Sequence, residues 1–323
     1  SERIKTHFKM IDYGRGIVGF IVTLISLIHG SAAWVISFMV VAIIIRYQYN
    51  NRLKREEKIT LLLSTNIYLL IFLYITALIS CNIQTIVGDI HGNNFDSSWC
   101  VFVGYYIVAT CCALYHAFVT QALFRLGRIV YSNYRWLQHF WFYIIVTGIQ
   151  VVGAFALLSP VLIWHDVIYL SNDHYCCVSF KIILGVLWAV FACYGLPLIY
   201  LSLIYIRITL FIRQQSNTVA LAIKRRQQRD LLAIQRILIN VGLLIAIGFP
   251  AMVLLVMLFI TGEEHPLLYR ILWIGAEVSM AVLSIAMVLT TPQLKNIVMK
   301  RQRQNRVTTI EGPVRMGSMS TAH

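Results

Sequence analysis

The chain has 323 residues, of which 59% are hydrophobic and only 12% are charged, about half of the roughly 25% charged fraction of a soluble domain. This composition excludes an ordinary soluble protein and predicts an integral membrane protein. The net charge of +14 would by itself suit a nucleic-acid-binding protein. The positions of the basic residues, described below, favour a membrane topology with no nucleic-acid partner.

Seven apolar stretches are each long enough to cross a bilayer, which requires roughly 17–25 residues per helix. They cover residues 17–45, 59–86, 100–125, 138–163, 182–212, 237–260 and 268–291. A buried helix of a soluble protein could explain one such stretch but not seven. We do not expect the first to be a signal peptide, because no small-residue cleavage site ends a short apolar core. The sequence therefore predicts an all-α, seven-transmembrane helix bundle.

Basic residues are concentrated in alternate connections between these stretches. The segments that hold 21 of the 27 Lys and Arg residues are 46–58, 125–136, 207–236 and 292–323. Basic segments close to helix ends remain on the cytoplasmic side, where they also suit a surface facing anionic lipid. This predicts a multi-pass plasma-membrane protein with an extracellular tail, residues 1–16, although the four basic residues of that tail favour the reverse orientation.

The third stretch has a distinct residue at each end. Cys100 precedes Arg125 by 25 residues, which at about 1.5 Å per residue separates them by roughly 37 Å, more than a hydrocarbon core of about 30 Å. Cys100 and the loop residues Cys176 and Cys177 share a predicted side, and pairing is favoured in an oxidising compartment. The candidate disulfide therefore joins Cys100 to Cys177 or to Cys176.

Arg125 has two interpretations. A lone arginine at a helix end is ordinarily a membrane-interface anchor. Alternatively, it forms an inner latch with Asp230 at the start of the sixth helix, an ion pair of about 1 kcal/mol that biases a two-state equilibrium. Tyr205, near Arg125 at the inner end of the fifth helix, and Arg128, in the basic inner rim, belong to the same predicted coupling surface.

Prolines interrupt the later helices. Pro197 and Pro250 each remove a backbone hydrogen bond from the fifth and sixth helices and predict a kink, with a static shape as the alternative reading. After Pro292, a short amphipathic helix is predicted along the inner membrane surface. It completes a transmembrane domain of residues 17–304, which a disordered cytoplasmic tail, residues 305–323, follows.

Two polar residues lie within the predicted membrane region. Asn66, in the second helix, is neutral, so we expect it to tie helices together rather than to bind an ion. Glu277 lies in the outer half of the seventh helix, 15 residues before Pro292. It could contact a cationic ligand or pair with Arg270 two turns away, and the sequence leaves both open.

On these residues the chain resembles a divergent rhodopsin-like (class A) G-protein-coupled receptor, of orphan or chemosensory type, over about residues 15–300. The matching positions are Cys100 with a loop cysteine, Arg125, Pro160, Pro197, Tyr205, Asp230, Pro250 and Pro292. The resemblance implies an extracellular-side ligand pocket, outward movement of the sixth helix and coupling to a heterotrimeric G protein, with arrestin as a further partner.

The chain also departs from the family pattern. Phe124 and Leu126 replace the acid and the tyrosine that flank the family's arginine. The position of the amine-receptor aspartate is Ile107, and no lysine lies within 268–291, so the resemblance favours neither a biogenic-amine receptor nor an opsin. It places Ile107 and Glu277 in a pocket for an unidentified small molecule or peptide.

A seven-helix transporter or channel-like protein is the alternative. A transporter is expected to show paired broken helices and intramembrane charges along a path, and the sequence shows no internal repeat. An enzyme is not predicted, because no nucleophile, base and metal ligands cluster. No cofactor or metal site is expected, because no cysteine or histidine grouping has ligand spacing.

Overall fold

The computed structural model describes residues 16–50, 55–131, 133–215 and 267–290, together with 242, 253, 256–258, 260–262 and 265. The α-helices of these ranges are α1 (Ile17–Asn50), α2 (Arg55–His91), α3 (Ser98–Ile129), α4 (Phe140–Ile163), α5 (Ile183–Val190), α6 (Leu196–Gln215) and α7 (Leu268–Thr290). A 3-10 helix, Arg135–Gln138, precedes α4. A π-helical turn, Phe191–Gly195, joins α5 to α6.

Six helical segments of the described chain are long and apolar enough to cross a membrane: α1, α2, α3, α4, α7 and the continuous run from α5 through α6. This supports a multi-pass helical membrane architecture, with six candidate spans in the part of the chain that the structure describes. The predicted sixth span, 237–260, falls largely outside the described residues. Its described end leads to Gly262, whose φ is +69° and whose N–H donates to the Leu258 carbonyl at 2.8 Å, an arrangement typical of a helix C-terminus.

Helix α3 is the central helix of the described bundle. In its most apolar window 78% of the residues are buried, against 17% for α4, and α3 packs against α2, α4 and α6. Helix α4 exposes large apolar side chains at helical spacing, as expected for a surface that faces lipid rather than water. These residues are Trp141, Ile145, Ile149 and Val152.

An antiparallel hairpin follows α4, which the prediction of a purely helical chain missed. Strand β1 (Val167–Leu170) pairs with strand β2 (Tyr175–Val178), with Val167 opposite Val178 and Leu170 opposite Tyr175. The hairpin packs on α3, and every residue of β2 is buried. We call this side of the bundle, where the hairpin meets the beginnings of α3 and α7 and the end of α2, the disulfide end.

Helix α2 is longer than the sequence predicted. Residues 88–91, expected to begin a loop, form its last turn, and the loop begins at Gly92 with a φ of +67°. A Cβ on Gly88 would lie 2.2 Å from Cγ of His174, so the hairpin turn lies directly on this part of the helix. The missing side chain of Gly88 permits this close approach.

Pro197 lies in the first turn of α6, directly after the π-helical turn. Proline has no N–H to donate, and its ring clashes with the carbonyl four residues earlier in a regular helix. The preceding N–H, that of Leu196, donates to the Phe191 carbonyl five residues back. The wider turn thus provides the local change in backbone geometry that a proline at this position requires.

Candidate functional site

A disulfide connects the beginning of α3 to the hairpin. The sulfur atoms of Cys100 and Cys176 are bonded at 2.01 Å, and their Cα atoms are 5.3 Å apart. Of the two alternatives that the sequence left open, Cys176 is the cysteine that is bridged to Cys100. Successive strand residues point to opposite faces, so only one of the two adjacent cysteines can face Cys100. Cys177 is a free, buried thiol.

The hairpin backbone approaches α3 closely beside this disulfide. A Cβ on Gly104, one turn after Cys100, would lie 2.6 Å from the carbonyl oxygen of Cys176. Burial raises the pKa of the Cys177 thiol to about 12, so this group is protonated at neutral pH and is a poor nucleophile. The base of the hairpin is thus held covalently and packed against helix backbone.

Arg270, in the first turn of α7, is the centre of a buried polar cluster at the disulfide end. Its Nη1 and Nη2 donate to the two carboxylate oxygens of Asp89 at 2.9 and 3.0 Å. Its Nε donates to Oδ1 of Asp173 at 3.0 Å. The remaining donors reach Oγ1 of Thr23 and the carbonyl of Asn172, both at 3.4 Å. We call these five residues the Arg270 cluster.

The Arg270 cluster satisfies all five N–H donors of the guanidinium. Its acceptors come from α1, from the last turn of α2 and from the hairpin turn, while the arginine itself belongs to α7. Arg270 and Asp173 are each 3% exposed. Since bidentate arginine–carboxylate pairs are strong and directional, the cluster fixes the relative positions of three helices and the hairpin.

Two further contacts hold the hairpin turn. The hydroxyl of Thr85 in α2 donates to the Asp173 carbonyl at 2.7 Å. The imidazole Nε2 of His174 lies 3.8 Å from Oδ1 of Asp89, and His174 has a positive φ of 62°. The turn is therefore attached to α2 and α7 by polar contacts, whereas the base of the hairpin is attached to α3 by the disulfide.

Helix α7 also contacts strand β2 and the segment that follows it. The hydroxyl of Tyr269 accepts a hydrogen bond from the backbone N–H of Phe180, two residues after β2, at 3.1 Å. One turn later, Nε1 of Trp273 donates to the hydroxyl of Tyr175 in β2 at 2.5 Å. The hairpin and the segment after it thus contact α7 from Tyr269 to Trp273.

Glu277 lies deeper in the bundle and forms a second cluster. Its carboxylate accepts hydrogen bonds from the hydroxyl of Ser26 at 2.6 Å and from Nδ2 of Asn82 at 2.7 Å. A Cβ on Gly30 would lie 2.9 Å from its Cδ, so the carboxylate lies directly against α1. The alternative pairing of Glu277 with Arg270 is wrong, because Asp89 and Asp173 are the acids that bind Arg270.

Glu277 and Ile107, the two predicted pocket residues, are both buried, with 0% and 2% exposure. Ile107 belongs to the main hydrophobic core. Asn66 donates to Oε1 of Gln150 in α4 at 3.2 Å, which confirms the expectation that Asn66 ties helices together.

The opposite end of the described bundle has a looser arrangement. Arg125 and Tyr205 are both half-buried. Arg128 lies 3.6 Å from Glu56, at the beginning of α2, and the two side chains are 22% and 52% exposed. The proposed partner of Arg125, Asp230, lies outside the described residues.

Other predictions also fall outside the described residues: Pro250, Pro292, the short amphipathic helix and the tails 1–15 and 305–323. Within the ranges that the structure describes, no group of three or more His, Cys, Asp or Glu side chains is arranged to hold a metal ion.

The residues that sequence reasoning missed are Asp89 and Asp173. Asp89 lies beyond the predicted second stretch, 59–86, and Asp173 lies in a turn between strands that were not predicted. A usable signal was present, because an arginine near the end of an apolar helix requires a partner and the predicted outer loops contain these acids.

No protein-family model matches this sequence. No curated protein sequence matches it either.

Proposed function

We propose that this chain is a cell-surface receptor of the G-protein-coupled type, with the disulfide end outside the cell and the opposite end facing the cytosol. The observation that carries the proposal is the placement of α3. This central helix is covalently tied to the hairpin at Cys100 and reaches Arg125 at its other end. A movement of the hairpin at the disulfide end could therefore be transmitted along α3 to the end of the bundle that contains Arg125 and Arg128.

Two features support transmission along the bundle. The π-helical turn at Phe191–Gly195 interrupts the regular geometry of the fifth span, and such turns are frequent at functional sites. Helix α7 carries both the Arg270 cluster and Glu277, so a ligand that changes the hairpin contacts would also displace this helix. In the proposed mechanism, differential binding shifts a two-state equilibrium, and a heterotrimeric G protein, then arrestin, binds the cytosolic surface.

The test is ligand-free coupling of the full chain to a panel of Gα subunits in cells, at equal surface expression. Arg125→Ala is expected to abolish the coupling that the wild type shows. Arg46→Ala is the matched control. Arg46 is an exposed arginine near the C-terminal end of α1, which lies at the same end of the bundle as Arg125, and this variant should retain coupling. An N-terminal tag that antibodies reach only after permeabilisation, or no coupling to any Gα subunit, would overturn the proposal.

A transporter is the second candidate, favoured by one observation. Glu277 is a fully buried carboxyl group held by Ser26 and Asn82, and intramembrane acids of this kind carry protons or cations in transporters. Substrate or proton flux in proteoliposomes that Glu277→Gln abolishes, without G-protein coupling, would favour this function.

A further inference from the structure

We propose that Cys112 and Cys193 form a dithiol site that a lipid hydroperoxide oxidises to a disulfide. Cys112 lies in the central helix α3, and Cys193 lies in the π-helical turn of the fifth span. Both segments are candidate membrane spans, so the oxidant is one that arrives through the bilayer. The inference goes beyond the proposed receptor function and does not depend on it.

The two thiols connect α3 to the π-helical turn in both directions. The Cys112 thiol donates to the carbonyl of Ala192, the residue before Cys193, at 3.6 Å. The Cys193 thiol donates to the carbonyl of Val108, one turn before Cys112, at 3.8 Å. The two thiols also lie within hydrogen-bonding reach of each other. Sulfur atoms in such contact can be bridged without the large backbone movement that distant cysteines require.

His116, one turn after Cys112, distinguishes the two sulfur atoms. Its Nδ1 lies 3.0 Å from the Cys112 carbonyl and 3.6 Å from the Cys112 sulfur. Because a carbonyl oxygen only accepts hydrogen bonds, Nδ1 carries a proton. The same N–H is within reach of the Cys112 sulfur and stabilises the negative charge of its thiolate, which is the reactive form. Cys112 is therefore the sulfur that attacks the peroxide, and Cys193 is the sulfur that resolves the product.

The oxidation has two steps. First, the Cys112 thiolate attacks the terminal oxygen of the hydroperoxide: an S–O bond forms, the O–O bond breaks, and the lipid leaves as an alcohol with the proton that the thiol gave up. The product on Cys112 is a sulfenic acid. Second, the Cys193 sulfur attacks the sulfenic sulfur: an S–S bond forms, and the hydroxyl group leaves as water with the Cys193 proton. Two thiols are thus oxidised and one hydroperoxide is reduced.

The π-helical turn borders the lipid. Phe191 and Tyr194, the neighbours of the buried residues in this turn, are 45% and 37% exposed in a segment that is apolar enough to cross a membrane. Cys112 and Cys193 are buried, and His116 is half-buried. A hydroperoxide on an acyl chain in the bilayer is therefore close to the dithiol, whereas hydrogen peroxide must first leave water.

The first experiment maps the cross-link. The purified full chain in lipid nanodiscs is treated with a phosphatidylcholine hydroperoxide, and chymotryptic peptides prepared without reductant are analysed by tandem mass spectrometry. A disulfide between Cys112 and Cys193 is expected. Hydrogen peroxide at the same concentration should give less of it in the same time.

Cys111→Ser is the matched control for this mapping. The Cys111 thiol is next to Cys112, but its hydrogen-bond partners are the hydroxyls of Tyr74 and Tyr194 rather than a second thiol. The variant should therefore form the same cross-link as the wild type. It also leaves Cys112 as the single cysteine of that pair, so the bridged sulfur is assigned directly.

The second experiment tests the order of the two steps. Cys193→Ser should stop at the sulfenic acid, which dimedone labels on Cys112, whereas Cys112→Ser should give no label on Cys193. In the Cys193→Ser background, His116→Leu should lower the initial labelling rate about tenfold, the order of one lost hydrogen bond to a charged group. His116→Asn keeps an N–H donor near the position of Nδ1 and should retain the rate.

The proposal is overturned if no disulfide between Cys112 and Cys193 forms in the wild type, or if hydrogen peroxide forms it as fast as the lipid hydroperoxide does. Equal losses of labelling in His116→Leu and His116→Asn would overturn the role of His116. A variant that fails to fold does not remove the test, because the cross-link is mapped in the wild type. No G protein takes part, so these results and those on the proposed function are separate.

Discussion

The two ends of the described bundle are held together by different kinds of contact. At the disulfide end, Arg270 and its two acids have side-chain exposures between 2% and 7%, and a covalent bond lies nearby. At the opposite end, Arg128 and Glu56 lie 3.6 Å apart, and their side chains are 22% and 52% exposed. Buried, fully bonded charges resist displacement far more than exposed ones. Among the described residues, the Arg270 ion pairs are thus more deeply buried than the Arg128–Glu56 pair.

The largest expected difference comes from removing the arginine at each end. Arg270→Ala leaves two buried carboxylates facing each other and should cost about 3–5 kcal/mol of unfolding free energy, as for other broken buried ion pairs. Arg128→Ala should cost at most about 1 kcal/mol. Unfolding of the purified variants in the same detergent measures both, and equal losses at the two ends would contradict the comparison.

Removing the disulfide tests the covalent part of the restraint. Cys100→Ser opens a loop between cysteines 76 residues apart, and loss of a native disulfide typically costs about 2–5 kcal/mol. Cys177→Ser removes a free thiol from the same strand and serves as the control, with little expected change in the unfolding midpoint. A larger loss for Cys177→Ser would mean that Cys177, not Cys176, forms the bridge in the protein.

A glycine in α2 tests the packing of the hairpin turn. Gly88→Ala places a Cβ 2.2 Å from Cγ of His174, so either the turn or the helix must move, at a cost of about 1–3 kcal/mol typical of overpacking. Gly153→Ala in α4 is the control, because no atom lies within 4 Å of its added Cβ. The control should leave stability unchanged or raise it through helix propensity, by up to about 1 kcal/mol.

The sequence predicted features that depend on local residues, and it missed features that depend on contacts between distant segments. Six spans were predictable, because long apolar helices are required wherever a chain crosses lipid, whatever their partners are. The end of α2 was not, because Gly88 and Asp89 favour a loop locally, and the hairpin turn that packs against Gly88 was not predicted either. The choice between Cys176 and Cys177 depended on which of two adjacent strand residues faces Cys100. The apolar pattern did not indicate a strand there.

The candidate site shows the same limit more strongly. Arg270 pairs with residues 181 and 97 positions away along the chain, and spacing within α7 pointed instead to Glu277, two turns away on the same face. Local periodicity identifies which residues share a helix face, but it does not identify which other segment supplies the partner. The inner latch of Arg125 and Asp230 stays a prediction.

The smallest expected effect concerns an acid at the disulfide end that contrasts with Asp89 and Asp173. Asp166 is 3% exposed, and its Oδ2 makes no hydrogen bond within the described residues. Burial raises the pKa of Asp166 above its ordinary value of 3.8, opposed by the nearby His165. The folded state therefore binds this proton more tightly than the unfolded state does, and stability falls as pH rises through the interval between the two pKa values.

Asp166→Asn removes this titration. Above the interval between the two pKa values, the wild type carries a buried charge, so the stability of the variant relative to the wild type should be greatest there. As pH falls through this interval, Asp166 is protonated in the wild type, and the advantage of the variant should decrease. Unfolding midpoints of both proteins across this range measure the difference. A pH-independent difference would show that Asp166, like Asp89 and Asp173, has a compensating partner in the folded protein.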